Sequence, residues 1–378
     1  MGTVVKRDIN IKRKVLFLLE AFDKGGIEKV TLDIVNNLDP DKYDVTVQTF
    51  MYGGDCQSLV NPNVKVIPFF FKRYVRGIIR LIAYLPPKLL YRLFVRGRYD
   101  VEIAASDGGA AKVISGSTNK KSRKICWVHM DVVERGSMLK EFKSAETAKP
   151  IYDKFDLIVP VSNACAEKFK QKFGNDYPFV VVHNPLPVSE IIHKSNEAFK
   201  FSKAEGLNIV CIGRLVEQKG FDRLLKASER IIDDGIKNFR IYIIGEGIEK
   251  NTLESFIDHK KLSSYIKLVG YQSNPYKYLK QADMFLLTSR DEAFPLVIGE
   301  SLVVGTPVIA TNCSGVAEWL GDGKYGIIIE NSTEAIYQGL SSVLKNPEIL
   351  ESYRKVIPEA QAKISFENAL ADFESILV

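Results

Sequence analysis

The stretch LNIVCIGRLVEQKGFDRLLKASERII, residues 207–232, joins an apolar run to a helix-like segment through a short polar loop. Its first part is rich in β-branched residues and is typical of a buried parallel strand, and the segment after Gly220 is typical of a helix with an apolar face. Units of this kind build parallel sheets whose strands are joined by crossover helices. The rest of the chain repeats the unit.

Two series of such strands divide the chain. The first is predicted at residues 14–19, 43–50, 64–69, 100–106, 124–129, 156–162 and 179–187, and the second at residues 207–214, 239–247, 265–271, 283–289, 306–311 and 325–330. A chain of 378 residues exceeds one ordinary core, so two α/β, doubly wound, Rossmann-like domains are expected. The predicted domains are residues 1–190 and 206–360, with a linker at 191–205 and a C-terminal helix at 361–378 that could pack back on the first domain.

Composition limits the class of protein. Apolar residues make up 46% of the chain and charged residues 26%, the balance of a soluble globular protein. No apolar run approaches the roughly 20 residues that a membrane span needs, and the basic N-terminus lacks the apolar core of a secretory signal. The five cysteines are scattered and form no C-x-x-C pair, which favours reduced thiols and a cytoplasmic location.

Two cations, Arg214 and Lys219, follow the strand at residues 207–214 and precede the next helix. The N-terminus of a helix presents unpaired N–H groups and a partial positive charge, so cations beside it can form a site for a phosphorylated ligand. The alternative is that both are solvated loop charges.

The stretch EAFPLVIGE, residues 292–300, carries a glutamate at each end. Pro295 suits the first position of a helix running to about residue 304, which would leave the amides of Phe294, Leu296 and Val297 free to face an anion. Glu292 and Glu300 would then face the ligand, and ionised carboxylates suit the vicinal hydroxyls of sugars. A nucleotide sugar offers both hydroxyls and phosphates. The alternative is a Glu292 that caps the helix and a Glu300 on the surface.

Several motifs carry a resemblance. In order and spacing, GRLVEQKGFDRLLKA, IIGEG, LVGY, EAFPLVIGESLVVGTPVIAT and SGVAE, within residues 207–345, resemble the donor-binding domain of the retaining glycosyltransferases of family GT4. GGIEKVTLDIVNNL, WVHMD and VPVSNACAEKF are similar, more loosely, to the first domain of that family. The resemblance implies the GT-B fold, in which two Rossmann-like domains face each other across a cleft.

The resemblance also implies roles for individual residues. Those with implied catalytic roles are His129, Arg214, Lys219 and Glu292. Those with implied donor-binding roles are Gly25, Gly26, Gly213, Arg214, Lys219, Gly270, Tyr271, Glu292, Phe294, Pro295, Leu296 and Glu300. Among these, Arg214 and Lys219 would neutralise the diphosphate, Glu300 would hold the ribose, and Glu292 would bind the transferred sugar.

The remaining roles follow the same resemblance. His129 would approach the sugar from the first domain, Gly25 and Gly26 would allow a close approach of backbone to the ligand, and Gly270 and Tyr271 would flank the base. The chain departs from the family at Ala293, where glycine is more common, and at Ser301, where alanine is common. Both residues are small, so the site is kept while the preferred sugar becomes uncertain.

The expected reaction is transfer of a hexose or N-acetylhexosamine from a nucleotide sugar, with a UDP-sugar as the expected donor and with retention of anomeric configuration. No metal ion and no other cofactor is expected, because fixed cations would stabilise the leaving diphosphate. A nucleotide-sugar epimerase and a non-catalytic glycan-binding partner subunit are the alternatives. A hydride-transfer enzyme is disfavoured, since no G-x-G-x-x-G follows the first strand.

Residues 69–99 contain eight lysines and arginines, interleaved with aromatic and aliphatic residues, and no acid. This pattern favours peripheral contact with an anionic membrane at the inner face of the cytoplasmic membrane, and hence a glycan or lipid-linked acceptor of surface polysaccharide assembly. A solvated helical crossover is the alternative. Nucleic acid is disfavoured because no recognition motif accompanies the segment.

Overall fold

The computed structural model describes residues 12–22, 25–50, 54, 57–68, 84–129, 142, 145–199 and 206–378. The chain divides into two compact units. Unit 1 comprises residues 1–161, 165–185 and 367–378, and unit 2 comprises residues 162–164 and 186–366. None of the helices in the described ranges is long and apolar enough to cross a membrane.

Unit 1 is built on a six-stranded parallel sheet with the strand order β3-β2-β1-β4-β5-β6. Its strands are β1 (Arg13–Leu19), β2 (Tyr43–Thr49), β3 (Lys65–Pro68), β4 (Val101–Ala104), β5 (Arg123–Val128) and β6 (Leu157–Pro160). The last five residues of β1 are buried without alternation. Such a run is expected of a strand that is covered on both faces.

Unit 2 repeats the design with the strand order β12-β11-β10-β7-β8-β9. Its strands are β7 (Leu207–Ile212), β8 (Phe239–Ile244), β9 (Ile266–Gly270), β10 (Met284–Leu287), β11 (Val308–Thr311) and β12 (Ile327–Ile329). Successive residues of a strand point to opposite faces. Accordingly Ile209 and Cys211 belong to one apolar cluster and Val210 to another.

Helices connect the strands and cover the sheets. They are α1 (Gly26–Val35), α2 (Pro87–Phe94), α3 (Gly109–Ile114), α4 (Ala145–Tyr152), α5 (Asn163–Phe173), α6 (Val188–Ser195), α7 (Phe221–Asp233), α8 (Lys250–His259), α9 (Tyr276–Gln281), α10 (Leu296–Val303), α11 (Val316–Leu320), α12 (Thr333–Lys345), α13 (Ile349–Gln361) and α14 (Phe366–Ser375). Short 3₁₀ turns lie at Gln57–Leu59 and Glu217–Lys219. The predicted pair of doubly wound α/β domains is confirmed.

The first strand of each sheet has neighbours on both sides. In unit 2, β7 lies between β8 and β10, and Ile209 and Val210 are in register with Met284 and Phe285. Connections from two such central strands leave towards opposite faces of the sheet and open a crevice at the carboxyl ends of the strands. The loops that follow β7 and β10 therefore meet at the place where ligands bind in folds of this kind.

The end of the chain returns to unit 1. Phe373 on α14 is fully buried, with its ring centroid 5.9 Å from that of Phe17 on β1 and 4.8 Å from that of Trp127 on β5. Arg13 donates a hydrogen bond of 2.6 Å to the carbonyl oxygen of Leu377. Residues 367–378 therefore belong to unit 1 and contribute to its core.

Two predicted segments differ in the structure. The strand predicted at residues 179–187 is wrong as a full strand: a single bridge pairs Phe179 with Ile158, and the backbone hydrogen bonds to β6 end at Val182. Prolines at positions 185 and 187 lack the N–H donors that would extend pairing. The predicted linker begins inside α6, whose Ile191 is buried in the apolar core of unit 2. Residues 200–205 of that linker lie outside the described residues.

Candidate functional site

The loop after β7 is shaped by Gly220. This residue has a φ of 66°, and a Cβ atom there would lie 2.1 Å from the carbonyl oxygen of Thr288 in the loop after β10. Only glycine fits a position that combines positive φ with so close an approach of backbone. The close contact brings the two loops together and sets the position of Lys219, which directly precedes Gly220.

Lys219 and Glu292 form an ion pair. The Nζ atom of Lys219 lies 2.5 Å from Oε1 of Glu292, and the two side chains are 17% and 11% exposed. The hydroxyl of Ser289 donates a second hydrogen bond of 2.7 Å to the same oxygen. Both alternatives for these two residues are therefore wrong, because Lys219 is not a solvated loop charge and Glu292 does not cap a helix.

The loop that carries Glu292 is fixed by a second set of hydrogen bonds. Arg290 forms a bidentate pair with Asp222, with two N···O distances of 2.7 Å, and this pairing raises the pKa of Arg290. The side-chain amide of Gln218 donates a hydrogen bond of 3.0 Å to the carbonyl oxygen of Asp291. The backbone carbonyl oxygen of Gln218 accepts a hydrogen bond of 2.8 Å from the backbone amide of Arg290. Asn331 donates to the carbonyl oxygen of Arg290 at 2.8 Å.

Helix α10 begins one residue later than predicted, at Leu296, with Pro295 in the preceding cap position. The first hydrogen bond into the carbonyl of Pro295 comes from the amide of Ile298. Within the described part of the chain, no acceptor is found for the amides of Leu296 and Val297. These are the first-turn N–H groups that can receive an anion.

Glu300 lies on the same helix but is buried, at 8% exposure. The hydroxyl of Tyr276 on α9 lies 3.3 Å from its Oε1 atom. The alternative of a surface Glu300 is therefore wrong. A carboxylate is rarely buried without polar partners, and this one lies on the helix whose N-terminus follows Glu292.

The glycine between the two glutamates has a packing role. A Cβ atom at Gly299 would lie 2.5 Å from side-chain atoms of both Leu186 and Trp319. The indole of Trp319 in turn stacks on the ring of Phe294, with centroids 4.6 Å apart and planes inclined by 25°. Gly299 therefore allows α10 to pack closely enough to fix Phe294 at the start of the helix.

The other donor-binding candidates of unit 2 lie at the same edge of the sheet. Arg214 follows β7 and its side chain is exposed. Beside it, a Cβ atom at Gly213 would lie 3.2 Å from the side chain of Lys219, so the absence of a side chain leaves room for the lysine. Gly270, with a φ of 81°, ends β9, and the next residue, Tyr271, is 54% exposed.

The candidates of unit 1 lie at the carboxyl ends of its strands or close after them. Gly25 precedes α1 and Gly26 begins it. His129 follows β5, and its ring lies 4.3 Å from that of Trp127. Its Nε2 atom is enclosed and has no hydrogen-bond partner among the described residues. Burial lowers the pKa of His129 to about 3, so the imidazole is neutral near pH 7.

Sequence reasoning missed several residues that hold the site together. They are Gln218, Asp222, Ser289, Asn331, Tyr276 and Arg290, the last through its pair with Asp222. Gln218 and Ser289 lie in the loops that the sequence singled out, so their position was a usable signal. Tyr276 reaches Glu300 from a different helix, and no local pattern marks it.

Comparisons with known proteins match two family models to this chain. The family described as glycosyl transferases group 1 matches residues 193–363, and Glycosyltransferase Family 4 matches residues 24–190. The two matched ranges correspond closely to the two units. Together they cover most of the chain.

Two individual relatives share 24% and 30% of their aligned residues with this chain. The N-acetylgalactosamine-N,N'-diacetylbacillosaminyl-diphospho-undecaprenol 4-alpha-N-acetylgalactosaminyltransferase of Campylobacter jejuni is 30% identical over 207 residues, or 54% of this chain, and the match spans about half (55%) of that relative. An uncharacterized glycosyltransferase of Haemophilus influenzae is 24% identical over 350 residues, covering 90% of this chain and 92% of that protein.

A solved structure shares the fold. Anabaena HepE in complex with UDP and glucose has a TM-score of 0.76 at 19% identity, covering 97% of this chain and 99% of that one. The strand orders, the site at the switch point of unit 2 and the two family matches lead to one conclusion. The chain belongs to the GT4 family of glycosyltransferases and has the GT-B fold.

Proposed function

We propose that the protein is a retaining, metal-independent glycosyltransferase that transfers a hexose or N-acetylhexosamine from a nucleotide sugar, expected to be a UDP-sugar. The acceptor would be a glycan, a lipid-linked or a protein-linked molecule in surface polysaccharide or glycoconjugate biosynthesis. The observation that supports this best is the Lys219–Glu292 ion pair in the loop that leads into α10, whose amides at Leu296 and Val297 find no acceptor among the described residues. A cation, a carboxylate and helix amides in one place suit a ligand with both phosphates and hydroxyls.

Donor binding would proceed by an exchange of partners. Lys219 would leave Glu292 for the diphosphate, whose charge is greater, and Glu292 would then accept hydrogen bonds from hydroxyls of the transferred sugar. The ion pair keeps both side chains in place before the donor arrives, so little side-chain entropy is lost on binding. Glu300, already held by Tyr276, would accept hydrogen bonds from the ribose.

Cleavage of the sugar–phosphate bond builds negative charge on the leaving diphosphate and positive charge on the anomeric carbon. Arg214, Lys219 and the amides of Leu296 and Val297 would stabilise the diphosphate, and each well-placed donor of this kind is worth about 3 to 4 kcal/mol of barrier. Glu292 would hold the sugar while the acceptor hydroxyl attacks from the side of the leaving group, which retains the anomeric configuration. The neutral His129 would contact the sugar as a hydrogen-bonding group.

The names of related proteins support the choice of donor and acceptor. The Campylobacter relative is named for transfer of N-acetylgalactosamine and for a diphospho-undecaprenol. The Anabaena structure holds UDP and glucose. These are properties of those proteins, and they favour a UDP-sugar donor and a lipid-linked acceptor for this one.

A peripheral position at the inner face of the cytoplasmic membrane is part of the proposal. Residues 69–83 of the basic segment lie outside the described residues. Within the described part, α2 exposes Leu89 and Leu93, each to 44%, and Tyr84 is 71% exposed. Exposed apolar residues among cations suit the interface of an anionic membrane.

Titration of the purified protein with UDP, followed by a panel of UDP-sugars with and without acceptor glycans, tests the proposal. We expect UDP binding without added metal, slow hydrolysis of one UDP-sugar, and transfer when the right acceptor is present. An isomerised UDP-sugar without acceptor would identify an epimerase instead. No binding of any nucleotide would favour the non-catalytic glycan-binding subunit.

A further inference from the structure

A cavity lies in unit 1, and none of the donor-binding candidates lines it. It has a volume of about 510 Å³, and Arg92, Arg98, Lys120 and Lys121 line it together with Tyr91 and smaller or uncharged residues. We call it the basic groove. Its volume falls in the range of pockets that bind small ligands. Four of its lining residues are cations and none is an acid.

The four cations of the basic groove find no acidic partner in the part of the chain that the structure describes. No carboxylate there lies within ion-pair distance of Arg92, Arg98, Lys120 or Lys121. Elsewhere in unit 1 an exposed lysine does find an acid, as Lys149 does at 2.9 Å from Asp153. Cations around one concave surface attract anions more strongly than the same charges scattered over a flat one.

The walls of the basic groove are held in place. Gln48 is 1% exposed and donates hydrogen bonds to the carbonyl oxygen of Arg96 at 2.6 Å and to the hydroxyl of Tyr99 at 2.7 Å. Asn119 ties the opposite wall to the carbonyl oxygen of Tyr99 at 2.8 Å. Gly97, with a φ of 103°, permits the turn between the two anchors.

The floor of the groove is also fixed. The hydroxyl of Tyr91 donates a hydrogen bond of 2.7 Å to Glu102, which is fully buried behind it. Burial raises the pKa of Glu102, and the hydrogen bond from Tyr91 fixes the position of the tyrosine ring in the floor of the groove. The groove is therefore a preformed surface and not a chance gap between mobile side chains.

The basic groove and His129 lie at opposite ends of the strands of unit 1. Arg98 precedes β4 and Lys121 precedes β5, whereas His129 follows β5. The groove thus lies at the amino ends of strands that have the catalytic candidate at their carboxyl ends. A six-residue strand such as β5 spans about 20 Å, so a small ligand in the groove does not reach His129.

The groove adjoins an apolar surface. Arg92 and Tyr91 belong to α2, which also exposes Leu89 and Leu93. A soluble phosphate would need only the cations. Cations next to exposed leucines match a lipid surface, which offers phosphate groups above acyl chains.

We propose that the basic groove binds the phosphate of an anionic lipid headgroup while Leu89 and Leu93 enter the acyl region. This rests on the membrane contact proposed above, deepens it, and gives it defined residues within the described structure. None of the groove residues is a donor-binding candidate, so we expect their replacement to leave the binding of UDP unchanged.

Vesicle flotation of the full chain tests this proposal. The vesicles contain phosphatidylglycerol and phosphatidylcholine, or phosphatidylcholine alone, and the variants are R98A/K120A/K121A and L89S/L93S. A matched control removes three exposed cations of unit 2, Lys237, Lys345 and Lys355. Each basic residue near an anionic surface contributes about five-fold in binding, so the triple variant is expected to lose on the order of 100-fold. The control should lose none.

The possible results distinguish failure of the groove proposal from failure of the proposed transferase function. Anionic-vesicle binding that falls in the triple variant and in L89S/L93S, with unchanged UDP affinity, supports the groove. Anionic-vesicle binding that is equal in wild type and the triple variant overturns it while leaving membrane contact through other residues open. Pyrophosphate binding that is lost in the triple variant, in a protein that does not bind vesicles, would show that the groove takes soluble phosphates and would also overturn the proposal. Absence of UDP binding in wild type would overturn the proposed function alone.

Discussion

The Nζ atom of Lys219 lies 2.5 Å from Oε1 of Glu292, although the two residues are 73 positions apart in the chain. The parallel pairing of β7 with β10 brings their loops together, and Gly220 lets the loops touch. The cation assigned to the diphosphate and the carboxylate assigned to the sugar are therefore each other's partners in the protein without donor. A donor must separate them, and this exchange has measurable consequences.

Replacing Glu292 with glutamine removes the acceptor of the sugar hydroxyls and frees Lys219. We expect transfer to fall by roughly 10- to 150-fold, the equivalent of a charged hydrogen bond worth about 1.5 to 3 kcal/mol. UDP affinity should stay the same or rise, because no ion pair has to be broken. Steady-state kinetics and calorimetry measure the two effects. Glu330→Gln, at an exposed glutamate of the same unit, is the control, and unchanged transfer in Glu292→Gln would refute the sugar contact.

Replacing Lys219 with methionine should have a different signature. Both UDP affinity and turnover should fall, turnover by about 100- to 1000-fold, because the cation stabilises charge that develops on the leaving group. Lys219→Arg should recover part of the loss, since it keeps the charge at a different geometry. Equal UDP binding by Lys219→Met and wild type, measured by calorimetry, would exclude a diphosphate role.

The bidentate pair between Arg290 and Asp222 positions the loop that carries Glu292. Arg290→Lys keeps the charge but loses the fork of two parallel hydrogen bonds. We expect kcat to fall about 10-fold with little change in KM for the donor, because a small displacement of a sugar contact costs rate. Arg230→Lys alters a solvent-exposed pair with Glu334 and serves as the control. If Arg290 had only a structural role, Arg290→Lys would have a lower melting temperature and the kcat of the wild type.

The low pKa of His129 should make the folded protein less stable at acidic pH. Its pKa is about 3 in the folded protein because burial disfavours the charged ring, whereas it is about 6.5 in an unfolded chain. The unfolded state therefore binds a proton first, and the free energy of unfolding decreases as the pH falls from about 6.5 towards 3. Thermal unfolding of His129→Gln should show a weaker decline over that window. Identical pH profiles for variant and wild type would contradict the burial of the imidazole.

The C-terminal helix should stabilise unit 1. Phe373 is fully buried against Phe17 and Trp127, and a Phe→Ala change in such a site typically costs about 3 to 5 kcal/mol. Chemical denaturation of Phe373→Ala should show this loss in the transition of unit 1. Val378→Ala, at a residue that is 73% exposed, should have almost no effect. A variant as stable as wild type would mean that α14 is not part of that core.

Much of the fold could be predicted because buried parallel strands leave a strong local signal. Runs such as residues 207–214 and 283–289 are apolar and β-branched, and the structure contains β7 and β10 there. Residues 179–187 carry a similar run, yet the prolines at its end prevent a continuous ladder. The helix at residues 188–195 was missed because its short polar sequence has few apolar positions.

The candidate site could be predicted less completely. The types of residue at its edge follow from the sequence, since the loops after β7 and β10 stand out by their charges. The partners of these residues could not be predicted from the sequence. The pairing of Lys219 with Glu292 depends on the strand order and on the contact at Gly220. The burial of Glu300 beside Tyr276 likewise depends on the packing of α9 against α10, which no local pattern encodes.

A crystal structure of the protein with a bound, non-hydrolysable UDP-sugar tests the central claim most directly. We expect Lys219 to move from Glu292 to an oxygen of the diphosphate, Glu292 to accept hydrogen bonds from the sugar, and Glu300 to contact the ribose. An intact Lys219–Glu292 pair with the nucleotide bound elsewhere would contradict it.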